Sequence, residues 1–287
     1  MSDIQTCLIC NGIDVVRWPY SYRFNDREIW IVRCSDCGLS RLHPMLSDDE
    51  VFSLYQAEYF EKDYHCGTSE GSYTQEIAAM QEGFRPYIAK IKQFNSKGRY
   101  LEIGCAGGAT LELARQEGFE TVGVELSQDM AEWGRKNLHL DIRVGTLEQQ
   151  HFPDNDFEVV YLGDVVEHLL HPKEVLGEIR RILKPNGVVA FAYPMELNHF
   201  TPRIRKLLKL QHQSVTKPYH LYYYTTKTLR TLLEQCGFEV TMEQESKLRR
   251  QRPILMNIMD STNSIITKLT GAFGDRGFTI ARVLKRN

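Results

Sequence analysis

The stretch Leu101-Glu102-Ile103-Gly104-Cys105-Ala106-Gly107-Gly108-Ala109 constrains this chain more than any other segment. A short apolar run enters a cluster of glycines and leaves as the start of a helix. Glycines let the backbone take positive φ and approach a ligand closely. Alternation of strand and helix then continues downstream. Tyr100 to Ile103 reads as a buried strand, Ala109 to Gln116 as a helix stopped by Gly118, and Thr121 to Val124 as a second strand. Ser127 caps a helix reaching about Asn137, followed by strands at Ile142 to Val144 and Phe157 to Leu162. A helix from Pro172 to Leu183 precedes a strand from Val188 to Tyr193. Thr226 to Cys236 is helical with Gly237 as its stop, and Phe238 to Met242 and Phe278 to Leu284 read as strands. Such alternation predicts an α/β fold with a doubly wound, mostly parallel sheet.

In open parallel sheets, ligands sit beyond the carboxyl ends of the strands, where strand order reverses. The glycine turn lies at that lip, and its details select the ligand. A dinucleotide fingerprint places glycines at three fixed positions. Counted from Gly104, the second and third fall on Ala106 and Ala109, so the fingerprint fails. Glu102 stands just before the turn, where a carboxylate repels pyrophosphate but can hold an ammonium group. Glu125 ends the second strand, about twenty residues beyond the turn, where an acid can accept both hydroxyls of a ribose. Adenosylmethionine carries both groups and a sulfonium cation.

These residues resemble the motifs of class I S-adenosylmethionine-dependent methyltransferases of the small-molecule type. Leu101 to Gly108 resembles the first motif, acid-x-Gly-x-Gly-x-Gly, departing from it at Ala106. Val124-Glu125-Leu126-Ser127 resembles the second. The resemblance runs through most of residues 98 to 245 and implies a seven-stranded, Rossmann-like methyltransferase fold. It implies cofactor contacts from Glu102, Gly104, Cys105, Ala106, Gly107, Gly108, Glu125, Leu126, Ser127 and Met130. Thr146 and Leu147 follow the third strand, with Thr146 where the family often has an acid. Leu162, Gly163 and Asp164 form the exit of the fourth strand.

Residues 1–45 read differently. Cys7-x-x-Cys10 and Cys34-x-x-Cys37 form two pairs, each followed closely by a glycine (Gly12, Gly38). Two such turns can complete a tetrahedron around one zinc ion and leave no open position, which predicts a structural zinc ribbon. Residues 46–97 read as a helical connector or lid over the cofactor site, opening at Ser47-Asp48-Asp49-Glu50 and including a helix from Glu76 to Phe94. The resemblance implies that residues 98–287 form the methyltransferase domain, with insertions at about 195–220 and 246–276.

Methyl transfer from a sulfonium needs an aligned nucleophile and, where the acceptor carries a proton, a base. Three histidines near the carboxyl-end crevice are candidate catalytic residues: His168 after the fourth strand, His199 after the fifth, and His220 in Tyr219-His220-Leu221-Tyr222. The fourth-strand exit has no Asp- or Asn-Pro-Pro-aromatic run for base amines, and no Pro-Cys pair serves pyrimidine C5 chemistry. The expected acceptor is therefore an oxygen or carbon, less favourably a nitrogen, of a small molecule. Arg203, Arg205, Lys206 and Lys209, and Lys247, Arg249, Arg250 and Arg252, suit an anionic sugar, nucleotide-sugar or lipid-linked acceptor. Two alternatives stand beside this reading: an RNA-modifying enzyme whose ribbon binds RNA, and a cofactor-binding protein without catalysis. A net charge of -2 and no basic excess in residues 1–50 argue against a nucleic-acid partner. With no apolar run long enough to span a bilayer and no signal pattern at MSDIQTCLIC, a cytoplasmic protein without a membrane span is expected.

Overall fold

In a computed structural model, residues 6–54, 77–195, 197, 205, 207–214, 217–246 and 276–284 are described. The chain opens with β1 (Val15–Phe24), β2 (Arg27–Cys34) and β3 (Ser40–His43). Asn25 and Asp26, between β1 and β2, both take positive φ of 49° and 55°, the conformation a two-residue hairpin turn needs. Helices α1 (Asp48–Leu54) and α2 (Ile77–Ile91) follow. Ser47 and Glu50 form the expected capping box: Glu50 N–H donates to Ser47 Oγ at 3.3 Å, and Ser47 N–H to Glu50 Oε2 at 3.0 Å. The rest of the expected connector, residues 55–76, lies outside the described residues.

The main body alternates as the sequence predicts. Its elements are β4 (Gly98–Ile103), α3 (Ala109–Gln116), β5 (Phe119–Glu125), α4 (Gln128–Leu138), β6 (Asp141–Val144) and β7 (Phe157–Gly163). Then come α5 (Pro172–Ile182), β8 (Leu183–Pro194), β9 (His212–Ser214), β10 (Tyr222–Tyr223), α6 (Thr226–Gln235), β11 (Phe238–Ser246) and β12 (Arg276–Val283). The seven-stranded sheet has the order β11-β12-β8-β7-β4-β5-β6. Strands β4 to β8 are parallel to their sheet neighbours among themselves, and β12 runs antiparallel to both β8 and β11. One difference from expectation is that β8 begins at Leu183. Residues 184–187, which the sequence leaves between the expected helix and the expected strand, are part of the strand, and a register shift against β7 absorbs them. The stretch at 246–276 that reads as partly helical lies almost wholly outside the described residues.

Strand order reverses between β4 and β7, because the chain builds β5 and β6 on one side of β4 and returns to build β7 and β8 on the other. A crevice opens at such a switch point. Ile103 pairs with Leu162, so the turns after β4 and β7 leave the sheet side by side. A Cβ on Gly104 would fall 2.5 Å from Val165 Cγ2, so glycine there lets the two turns close on one another. Apolar side chains fill both faces of the sheet: Leu101, Phe157, Leu162 and Phe191 on one, Tyr100, Val159, Tyr161 and Phe278 on the other. Met80 of α2 packs with Ala106, Ala109 and Met130, placing this helix against the glycine turn.

A second sheet, of order β10-β3-β2-β1-β9, extends beyond residues 1–45. β9 joins β1 in parallel and β10 joins β3 antiparallel, so the expected insertion at 195–220 contributes to the N-terminal sheet. Leu42 N–H donates to the Leu221 carbonyl at 3.0 Å, and the hydroxyls of Tyr22 and Tyr223 lie 2.9 Å apart. The N-terminal module is thereby tied to the chain that follows the fifth parallel strand.

Candidate functional site

Alternate residues of the turn after β4 are left-handed. Gly104, Ala106 and Gly108 have φ of 67°, 47° and 85°. Alanine pays for this geometry with a Cβ clash that glycine escapes, and Ala106 is held there by its surroundings. Its N–H donates to Glu125 Oε2 at 2.8 Å, and its side chain is buried. Gly104 N–H donates to the Val124 carbonyl at 2.8 Å, binding the turn to the end of β5. Gly108 N–H donates to the Cys105 carbonyl at 2.8 Å and starts α3.

Two carboxyls meet this turn. Glu125 takes Ala106 N–H on one oxygen and Ser127 N–H at 2.8 Å on the other. A carboxylate offers about four lone-pair sites, so capacity remains for further donors. Burial pushes its pKa up, opposed by the amides of Ser127, Ala106 and Leu126. Glu102 is 4% exposed, and its Oε2 has no hydrogen-bond partner. Burial, then the nearby charge of Glu125, pushes Glu102 well above the usual carboxylate range. A buried carboxyl oxygen without a donor calls for a donor-bearing or cationic ligand.

The other expected cofactor residues divide by burial. Leu126, just after β5, is 41% exposed, as is Val144 at the end of β6, which the motifs did not indicate, and both offer apolar surface at the crevice edge. Ser127 caps α4 by accepting Met130 N–H at 3.3 Å. Thr146 N–H donates to Gln149 Oε1 at 2.8 Å, and its side chain is exposed. Leu147 and Leu162 are buried in the hydrophobic core. Gly163 and Asp164 stand at the exit of β7, and the Asp164 carboxylate pairs with Arg276 of β12. Arg276 is the residue sequence reasoning missed: no local pattern marks it, and only the antiparallel return of β12 beside β8 brings it here. A depression lined by Arg99, Phe119, Glu120 and His139 lies where β4 and β5 begin, at the opposite end of the sheet, and holds none of these groups.

His168 and His220 come together, with ring centroids 4.8 Å apart and planes nearly perpendicular. His168 Nδ1 lies 2.9 Å from the Tyr219 carbonyl, and Leu221 N–H donates to the Glu167 carbonyl at 2.9 Å. The segment 219–221 is thus clamped to the turn Val166–His168. His199 lies outside the described residues, as do Arg203, Lys206, Lys247, Arg249, Arg250 and Arg252. Lys209 is exposed and Arg205 half-buried.

The four paired cysteines converge. Their Sγ atoms all lie within 4.8 Å of one another, with Cys7 to Cys37 and Cys10 to Cys34 both at 3.4 Å. These separations exceed a disulfide bond of about 2.05 Å. They approach the edge of about 3.8 Å that a tetrahedron with zinc–sulfur bonds of about 2.3 Å would have. Each pair sits in a knuckle: Asn11 N–H donates to the Cys7 carbonyl at 2.9 Å, and Gly38 N–H to the Cys34 carbonyl at 3.1 Å. Burial opposes ionisation of Cys34, but the amides of Cys37 and Asp36 together with the thiols of Cys10 and Cys37 outweigh it and bring the thiol down to about 7.

A doubly wound, mostly parallel sheet of seven strands, with an acid before the glycine turn and another at the end of the next strand, is the Rossmann-like methyltransferase fold. The chain belongs to the family described as methyltransferase domain, which matches residues 77–243. It is similar to a ubiquinone biosynthesis O-methyltransferase of Pasteurella multocida, 26% identical over 37% of this chain and 50% of that protein. It is also similar to a sterol 24-C-methyltransferase of Eremothecium gossypii, 29% identical over 60% of this chain and 49% of that protein. The chain thus spans about half the length of these curated relatives. The fold is shared with the structure of a SAM-dependent methyltransferase from Archaeoglobus fulgidus, at 22% identity and a TM-score of 0.52 over 71% of this chain and 93% of that one.

Proposed function

We propose that this chain binds S-adenosylmethionine at the carboxyl end of β4 and β5 and transfers its methyl group to a small-molecule acceptor. The observation that carries the reading is the partnerless Oε2 of buried Glu102 beside Glu125, at the lip of a turn that lacks the dinucleotide glycines. Glu102 would take the ammonium of the amino-acid portion, and Glu125 the ribose hydroxyls. Leu126 and Val144 would flank the adenine with their exposed apolar surface. When bound, the cofactor supplies an electrophilic methyl on a sulfonium. The protein's task is then to hold the acceptor in line and to remove its proton where it has one.

His220 in the clamped segment and His168 in the turn after β7 would take that proton. The proposed acceptor atom is oxygen or carbon, with nitrogen less favoured. The relatives' names span O- and C-transfer, and a glycine/sarcosine/dimethylglycine N-methyltransferase of Actinopolyspora halophila is also similar, at 26% identity. Exposed Lys209 and its sequence neighbours favour an anionic sugar, nucleotide-sugar or lipid-linked acceptor.

The four cysteines are proposed to hold a structural zinc ion. Its purpose is suggested by topology: β3 pairs with β10, next to His220, so a rigid ribbon stiffens the wall carrying that histidine. Calorimetry with S-adenosylmethionine and S-adenosylhomocysteine tests the central reading. Binding that is lost in Glu125→Ala supports it; a folded protein that binds neither ligand overturns it. A methyl-transfer screen over phosphorylated sugars, nucleotide-sugars and RNA would then identify the acceptor.

A further inference from the structure

Glu167 is 1% exposed, and neither of its carboxyl oxygens has a hydrogen-bond partner. An ionised carboxylate left this way would be costly, so a proton or a cation must serve it. Its surroundings come from several parts of the chain. His168 belongs to the same turn, His220 to the clamped segment, Asp164 to the exit of β7 with its partner Arg276 on β12, and Tyr224 follows β10.

The His168 ring is oriented by a hydrogen bond. Nδ1 lies 2.9 Å from the Tyr219 carbonyl, which only accepts. Nδ1 therefore carries the hydrogen, and in the neutral ring Nε2 presents its lone pair. That lone pair lies 3.8 Å from Glu167 Oε1. One ligating atom from each of Glu167, His168 and His220 lies within 4.8 Å of the other two. A shared proton satisfies this arrangement with no additional ligand. A divalent ion would need further donors.

We infer that Glu167, His168 and His220 form a proton-sharing unit in which Glu167 is a positioning residue that raises the proton affinity of the two imidazoles. The inference rests on the methyl-transfer reading only for what the unit does. In transfer to a hydroxyl, the O–H bond breaks as the O–C bond forms, and the proton passes to an imidazole of the unit. The electron pair of the broken S–C bond stays on the departing sulfur. Burial and Asp164 push the Glu167 carboxyl up to about 8, against the pull of His220 and Arg276, as a shared proton would require.

The test follows imidazole nitrogens and needs no acceptor or cofactor. Protein labelled with 15N in its histidine rings is titrated between about pH 5 and pH 9, using Glu167→Gln, His168→Asn and His220→Asn for assignment. We expect the His168 Nδ1–H tautomer and coupled titration of His168 with His220. In Glu167→Gln, both imidazole midpoints should fall by about one unit, a tenfold loss of proton affinity. Midpoints unchanged in Glu167→Gln overturn the proposal, and so does saturation of the two resonances by one equivalent of added Zn2+ or Mn2+ beyond the cysteine site. Should Glu167→Gln fail to fold, 13C-carboxyl labelling of wild-type glutamates gives the same answer. One carboxyl titrating in step with the His168 ring supports the unit, and its absence overturns it. Failure here leaves cofactor binding untouched, which calorimetry decides separately.

Discussion

Glu125, the last residue of β5, accepts the amide of Ala106 in the turn after β4, with Oε2 2.8 Å from the nitrogen. Its other oxygen holds Ser127 N–H at 2.8 Å, so one buried carboxyl ties together two neighbouring loops at the crevice. Glu125→Ala removes both acceptors. Each buried donor left unsatisfied costs about 1–3 kcal/mol. We expect a clear fall in Tm by calorimetry and at least a roughly tenfold loss of S-adenosylmethionine affinity. Glu125→Gln should lie between the two proteins, since its amide keeps one acceptor and turns a donor toward the other N–H.

Ala106 occupies a left-handed conformation, with φ of 47°. Relief of that strain in Ala106→Gly is worth about 1–2 kcal/mol. The loss of a buried methyl, about 0.8 kcal/mol, and glycine's freedom in the unfolded chain, about 0.4–1 kcal/mol, oppose it. These contributions nearly cancel, and denaturant unfolding should find the variant within about 1 kcal/mol of the parent. Ala106→Val adds a β-branched side chain at the same left-handed position, in a buried site. It should lose more than about 2 kcal/mol.

Glu102 gives the cofactor site a pH dependence of defined sign. Its folded pKa is raised by burial and by Glu125, so the ligand-free protein holds a proton that the unfolded chain has released. That contribution to stability is fully present below the unfolded value of about 4.3 and is lost as pH rises through the folded one. An ammonium ligand prefers the ionised carboxyl. The rise in Tm produced by a fixed S-adenosylmethionine concentration should therefore grow as pH increases across this range. Glu102→Gln should flatten that dependence; a wild-type shift independent of pH would count against the assigned contact.

One zinc ion per chain is expected by elemental analysis, with Cys34→Ser or Cys7→Ser reducing it. Because the ligands come together only on folding, metal binding contributes folding free energy. Chelation should lower Tm. It should also increase hydrogen exchange at Leu42, whose amide bonds the Leu221 carbonyl beside His220.

Much of the crevice was legible in the sequence because its signals are local. Glu102, Gly104 and Glu125 lie within a strand, a turn and the next strand, and the glycines required by positive φ mark the bend. The knuckles around Cys7 and Cys34 are likewise short-range. The irregularity at Ala106 was visible too, though not what compensates it. That answer is the carboxyl of Glu125, which reaches the turn only after β4 and β5 pair.

The remainder depends on the path of the chain between distant segments. Arg276 meets Asp164 because β12 returns antiparallel beside β8, and no sequence pattern specifies that neighbour. Tyr222 and Tyr223 lie close before α6 in the sequence, with nothing local to mark them as a strand, yet they complete the N-terminal sheet by pairing with β3. The sequence by itself determined the alternating fold, the glycine turn with its two acids, and the cysteine knuckles, since periodicity, backbone sterics and short spacing act over a few residues. Only the tertiary structure decided which strand edges meet, which carboxyl holds Ala106, and that His168, His220 and Glu167 converge. Those relationships arise when packing brings together groups that the chain keeps far apart.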